Sequence, residues 1–89
     1  MSWRVRIDNA AEKKLRRLDA QVLADIKGRI AQLAIDPRPA DCKQLRQSLK
    51  GAWRIRVGKY RVLYSIDDAQ REVVVYDAGL RDRVYKKRR

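Results

Sequence analysis

The sequence predicts an α+β fold of two layers, in which an N-terminal strand and a helical hairpin precede a three-stranded antiparallel meander. Three observations carry this. Apolar residues alternate with arginines at residues 3–7, recur at helical spacing from residue 11 to residue 33, and return to a period of two from residue 53 onward. Strands followed by two amphipathic helices and more strands are satisfied when the helices cover one face of one sheet. The 89 residues contain no internal repeat or linker, so residues 1–89 read as a single domain.

Trp3, Val5 and Ile7 alternate with Arg4 and Arg6, which gives the first strand a buried and a solvated face. Asn9 followed by Glu12 has the spacing of a capping box, and Ala11, Leu15 and Leu18 then mark a short helix over roughly residues 10 to 18. Asp19 opens a second helix in which Val22, Ile26, Ile30 and Leu33 form one stripe. Asp36-Pro37-Arg38-Pro39 stops it, because a residue before proline is pushed out of helical geometry. Residues 36–51 read as a loop that touches the core through Leu45 and Leu49. Trp53 to Val57 and Tyr60 to Ile66 are two strands around a tight turn at Gly58-Lys59. A third run, Val73 to Ala78, follows the polar turn Asp67 to Gln70.

The two-residue turn fixes a register. It pairs Val57 with Tyr60, Arg56 with Arg61, Ile55 with Val62, Arg54 with Leu63 and Trp53 with Tyr64. Trp53, Ile55, Val57, Tyr60, Val62 and Tyr64 then face the helices, and Arg54, Arg56 and Arg61 project together from the opposite face. With a turn at Asp67 to Gln70, Tyr76 is expected across from Arg61. Like charges directly opposite in a sheet are destabilising, so Arg56 facing Arg61 suits an anion held between them. Guanidinium is planar and can hold two phosphate oxygens at once, which makes a phosphodiester the matching ligand.

Composition points the same way. Lys plus Arg number 23 against 11 Asp plus Glu, for a net charge of +12, and a chain so basic expects a polyanionic partner. A second basic cluster, Lys13, Lys14, Arg16 and Arg17, fits either a solvated helix face or contact with a larger nucleic acid. The C-terminal run GLRDRVYKKRR adds cations and Tyr85, on which a base can stack. The chain has no His and one Cys, Cys42. Zinc sites, disulfides, and histidine-based nucleophiles or acid–base pairs are therefore excluded, and no metal or cofactor is expected. Cys42 without a His partner reads as an inert thiol, and Asp67-Asp68 as a turn. MSWRVRIDNA lacks an apolar h-region, and no run of about 18 apolar residues occurs, so the expected location is cytoplasmic with no membrane contact.

The segments WRIRVGKYRVLY and VVVYDAGLRDRVY resemble the RelE toxins of the RelE/ParE superfamily of bacterial toxin–antitoxin modules. The resemblance spans the whole chain, and its specific parts are R-x-R-x-G-x-Y-R and G-x-R-x-x-V-Y. It implies the RelE-like microbial RNase fold and a ribosome-dependent endoribonuclease that cuts messenger RNA in the decoding site, inhibiting translation. It also implies a RelB-like antitoxin partner, with an acidic or amphipathic segment covering the basic face or the groove beside the helices.

Matched residue by residue, the resemblance implies catalytic roles for Arg56, Arg61, Arg81 and Tyr85. Arg61 and Arg81 would stabilise phosphoryl oxygens, Arg54 and Arg56 would orient the backbone, and Tyr85 would stack on a base. Lys59, Arg83, Lys13, Lys14, Arg16 and Arg17 are the remaining RNA-binding candidates. Two departures matter. Lysines are usual where Arg54 and Arg56 stand, and arginine, with a pKa above about 12, is a poor general base. Many relatives carry His where this chain has Leu80, so a histidine-based mechanism is excluded. The alternative within the superfamily is a ParE-like inhibitor of DNA gyrase that performs no chemistry.

Overall fold

The computed structural model describes residues 2–45 and 52–80. The elements run β1 (Arg4–Ile7), α1 (Asn9–Leu15), α2 (Ala20–Gln32), β2 (Lys43–Gln44), β3 (Trp53–Val57), β4 (Tyr60–Asp67) and β5 (Glu72–Leu80). The strands form one sheet in the order β1-β5-β4-β3-β2. Neighbours are antiparallel except for β1, which lies parallel to β5. The α+β architecture is therefore the one the apolar periodicity requires.

The core lies between the helices and one face of the sheet. Ala11 and Leu15 of α1, Ile26 and Ile30 of α2, and Leu33 meet Ile55, Val62, Tyr64, Val73, Val75 and Ala78 in one buried cluster. The α2 stripe is thus the expected one, with Val22 packed against the cluster at its edge. Tyr64 is fully buried and donates its hydroxyl to the Pro37 carbonyl at 2.8 Å, so a polar atom inside the core keeps its partner. Burial raises the Tyr64 hydroxyl well above the usual tyrosine range, and it stays a donor.

Local chemistry moves several boundaries. Asp8, one residue before Asn9, is the N-cap of α1, and its carboxylate accepts the Ala11 N–H at 3.1 Å. The helix ends at Leu15 rather than near residue 18. There the backbone tightens into bonds from Arg17 N to Lys14 O and Leu18 N to Leu15 O, which turn the chain into α2 while Leu18 still packs on the core. Asp19 occupies the N-cap position of α2 but makes no side-chain capping bond. The segment expected to be all loop contains β2, where Lys43 pairs with Arg54 and Gln44 with Trp53, and Leu45 N extends the ladder to Ala52 O. Two residues are too few to leave a period of two in the sequence. Leu49 lies outside the described residues.

The β3–β4 hairpin has the expected register at all five pairs, around Gly58 at φ 63°. The β4–β5 hairpin does not. Asp67 pairs with Glu72, so the turn is residues 68–71, with Arg71 in the left-handed region at φ 54° and the Asp67 carboxylate accepting the Gln70 N–H. The register then slips at Leu63/Tyr64, and Tyr76 is the extra residue of a bulge between Val75 and Asp77. The bulge keeps Val75 and Ala78, three apart, both on the core side.

Candidate functional site

Arg54, Arg56 and Arg61 share the face of the sheet turned away from the helices, as pairing of Arg54 with Leu63 and Arg56 with Arg61 demands. They do not share an environment. Arg56 is exposed, whereas Arg54 and Arg61 are each 6% accessible, as is Leu63. The expected open row of three arginines is corrected to one solvent-facing cation beside two enclosed ones. Both lie on inner strands, Arg54 on β3 between β2 and β4 and Arg61 on β4 between β3 and β5, and each makes further contacts in the fold. Arg56 lies beyond the end of two-residue β2. The displaced turn shifts the pairing by two residues and the bulge by one more, so the residue across from Arg61 on β5 is Gly79, not Tyr76. A glycine there leaves no side chain over the Arg61 side of the pair.

The free edge of β3 at Arg56 is closed by a side chain. Continuing the β2–β3 ladder would set Asp41 opposite Arg56, but Arg29 of α2 stands between them. Its guanidinium donates to the Arg56 carbonyl at 3.1 Å and to both Asp41 carboxylate oxygens at 2.8 and 3.1 Å. The hydrogen bond from Arg29 holds the Asp41 carboxyl below the usual carboxylate range. Arg29 thereby ties α2 and the 36–45 segment to the strand that presents Arg56. The sequence carries no sign of this: Arg29 reads as a polar residue off the apolar stripe. At the far end of the sheet, the Arg38 guanidinium donates two hydrogen bonds to the Asp68 carboxylate, at 3.2 and 3.0 Å, and stacks 5.1 Å from the Trp53 ring centre. The pairing raises the Arg38 pKa and lowers that of Asp68.

The second basic cluster divides. Lys14 donates to Asp77 at 2.6 Å and Arg16 pairs with Glu12 at 3.7 Å. Among the described residues, Lys13, Arg17, Arg56 and Lys59 form no ion pair. Lys14 and Arg17 border a groove of about 370 Å³ whose other walls are Leu18, Tyr60 and residues 78–80 of β5. Lys59 lies at the β3–β4 turn, beside a smaller hollow of about 340 Å³ against α2. Among the described residues no group of three or more Cys, Asp or Glu side chains converges as a metal site would require.

The strand order and the helical hairpin coincide with a known family. A family model described as the ParE toxin of the type II toxin–antitoxin system parDE matches residues 5–85. The toxin RelG of Mycobacterium tuberculosis is 32% identical over 88 residues, covering 98% of this chain and all of the relative. The chain belongs to the RelE/ParE family of type II toxins. Its backbone is similar to the toxin in the archaeal RelE–RelB complex from Pyrococcus horikoshii, with a TM-score of 0.81, 25% identity, and coverage of 93% of this chain and 99% of that one. It is also similar to a chain of the M. tuberculosis toxin–antitoxin complex RelBE2, with a TM-score of 0.70, 29% identity, and coverage of 91% and 93%.

In this RelE/ParE toxin, the expected site residues are not gathered into one place. Arg54, Arg56 and Arg61 are brought together on one hairpin, while Lys14 and Arg17 line a separate groove near its turn. Arg81, Arg83 and Tyr85 lie outside the described residues; Leu80, the end of β5, is the last residue before them. No described helix of the toxin is long and apolar enough to cross a membrane.

Proposed function

We propose that this toxin is a ribosome-dependent messenger-RNA endoribonuclease, held inactive by a RelB-like antitoxin and acting in the cytoplasm. The observation that carries the reading is the Arg56–Arg61 pair: two cations directly opposite on one hairpin, one exposed and one 6% accessible. An anion placed against this pair meets two guanidinium groups at once. An enclosed guanidinium also acts through a lower dielectric, where its charge counts for more against a developing oxyanion.

The reaction is attack of a ribose 2′-hydroxyl on the adjacent phosphate. The 2′-O–P bond forms, the P–O5′ bond breaks, the 2′ proton is released and the leaving oxygen gains one, giving a cyclic phosphate and a free 5′-hydroxyl. Arg56 and Arg61 neutralise charge growing on the phosphoryl oxygens, joined in this reading by Arg81, and Tyr85 stacks on a base. Arginine contributes charge rather than proton abstraction. Weak acid–base equipment makes cutting depend on the ribosome, which presents the message in a reactive geometry. The antitoxin reading is supported by the RelB partners named for two structurally similar toxins.

The test is 5′-end mapping of a defined message in a reconstituted translation reaction, with the wild type, an Arg61→Ala/Arg81→Ala variant and a ribosome-free control. Cuts at decoding-site codons that need both ribosomes and arginines are expected; removing one such charge donor typically costs about 10²- to 10³-fold in rate. An intact message, with the folded protein still arresting growth, refutes the reading. The second reading, inhibition of DNA gyrase, is favoured by the description of the matching family model as a ParE toxin. A supercoiling assay unaffected by the arginine substitutions is its signature.

A further inference from the structure

The groove beside the end of α1 has a chemistry that the hairpin arginines do not use. Its cationic wall is Lys14 and Arg17, its aromatic wall is half-buried Tyr60, and its floor is the residue 78–80 segment, where Gly79 contributes no side chain. At about 370 Å³ it falls in the range, roughly 300 to 1,000 Å³, of pockets that hold a small ligand. Tyr60 pairs with Leu80 across the strands and immediately precedes Arg61, so the groove opens one residue from the arginine pair but toward the other side of the sheet. A strand of RNA whose phosphate lies at Arg56 and Arg61 can pass over the hairpin end at Gly58-Lys59 and enter it.

The charges in and beside the groove have distinct tasks. Asp77 does not line the groove but precedes its Ala78, and Lys14 bonds the Asp77 carboxylate at 2.6 Å while the Ala78 N–H bonds the same oxygen at 2.9 Å. Its repulsion toward an anion is thereby offset. Arg17 is exposed and, among the described residues, forms no ion pair, which leaves it available to a phosphate. We infer that this groove is a subsite for one flanking nucleotide of single-stranded RNA, with Tyr60 stacking on the base, Arg17 holding the phosphate and Lys14 neutralising Asp77. This deepens the nuclease reading and rests on it. Two cations, Lys14 and Arg17, stand in its wall beside Leu18, Tyr60, Ala78 and Leu80, so it offers charge to a phosphate and an aromatic and apolar surface to a base.

Binding of a labelled short single-stranded oligoribonucleotide to the full chain, followed by fluorescence anisotropy at several salt concentrations, tests the subsite without ribosomes. Tyr60→Ala is expected to weaken binding about 5- to 100-fold, as loss of one base stack does, and Tyr60→Phe to retain it. Arg17→Ala should reduce the slope of log affinity against log salt by about 0.7. Lys14→Ala should weaken binding, and adding Asp77→Asn should restore most of it. Arg17 is exposed, so its variant keeps the test open if Tyr60→Ala fails to fold. Unchanged affinity and slope in folded Tyr60→Ala and Arg17→Ala overturn the subsite, as does weakened binding of an acidic antitoxin peptide with RNA binding untouched. Message cutting is measured separately: cutting preserved with groove variants silent removes the subsite alone, whereas groove effects without cutting remove the nuclease reading alone.

Discussion

Replacing Arg29 by alanine would release three hydrogen bonds at once: two to Asp41 at 2.8 and 3.1 Å and one to the Arg56 carbonyl at 3.1 Å. The arginine side chain is 27% exposed and that of Asp41 51%, so solvent screens the ion pair and its worth is that of a surface pair, about 0.5 to 1 kcal/mol. The bond to the carbonyl has a charged donor and adds about 1 kcal/mol after the same discount. Arg29→Ala should therefore cost about 1.5 to 2 kcal/mol, and Asp41→Asn, which keeps the carbonyl bond, about 0.5 to 1 kcal/mol. At about 4 to 8 °C per kcal/mol for a domain of this size, the first variant loses roughly 6 to 16 °C in Tm and the second about half of that or less. A double-mutant cycle by urea denaturation should return a coupling of about 0.5 to 1 kcal/mol at pH 7. The sign with pH is fixed: Asp41 is depressed in the folded state, so its contribution is present above the unfolded carboxylate pKa of about 3.9 and is lost as pH falls through the lower folded value. The coupling should persist at pH 5 and fade below about pH 4. Additive single variants at pH 7, or a coupling that disappears between pH 7 and pH 5, would refute the bridge as the tie between α2 and the Arg56 strand.

Three further outcomes follow from the fold. Tyr64→Phe leaves the buried Pro37 carbonyl without its hydroxyl donor and should cost about 1 to 3 kcal/mol in chemical denaturation. Gly58→Ala meets no heavy atom within 4 Å, so its cost is the left-handed backbone alone, about 1 to 2 kcal/mol; a neutral result by thermal melting would mean the turn adopts another conformation. Asp8→Ala removes the α1 cap and should cost about 0.5 to 2 kcal/mol, whereas Asn9→Ala should cost much less, and equal losses in the two variants would restore Asn9 as the cap.

What the sequence disclosed follows the range of the interactions involved. The β3–β4 register was legible because two residues, one of them Gly58, can close a hairpin in few ways, and the α2 stripe because burial imposes its period. The β4–β5 register was not, since the bulge at Tyr76 and the left-handed Arg71 are settled by packing Val75 and Ala78 on one face, a constraint visible only in three dimensions. For the same reason the pattern placed Arg54, Arg56 and Arg61 on one face correctly but could not tell enclosed from exposed. That distinction depends on what packs over each side chain in three dimensions, which a period of two does not record. Arg29 and Tyr60 went unsingled because one reads as a solvated helix residue and the other as part of the apolar side of a strand.

The enclosure of Arg54 and Arg61 bears on how such a protein changes over generations. A cation held at 6% accessibility is desolvated in the resting fold and makes its own contacts there, so removing it alone strands whatever it contacts. If these arginines carry toxicity, a substitution such as Arg61→Met relieves the host and weakens the fold in the same step. Exposed Arg56 carries no such coupling, so inactive descendants of this chain that stay folded and still bind an antitoxin should more often have lost Arg56 than Arg61.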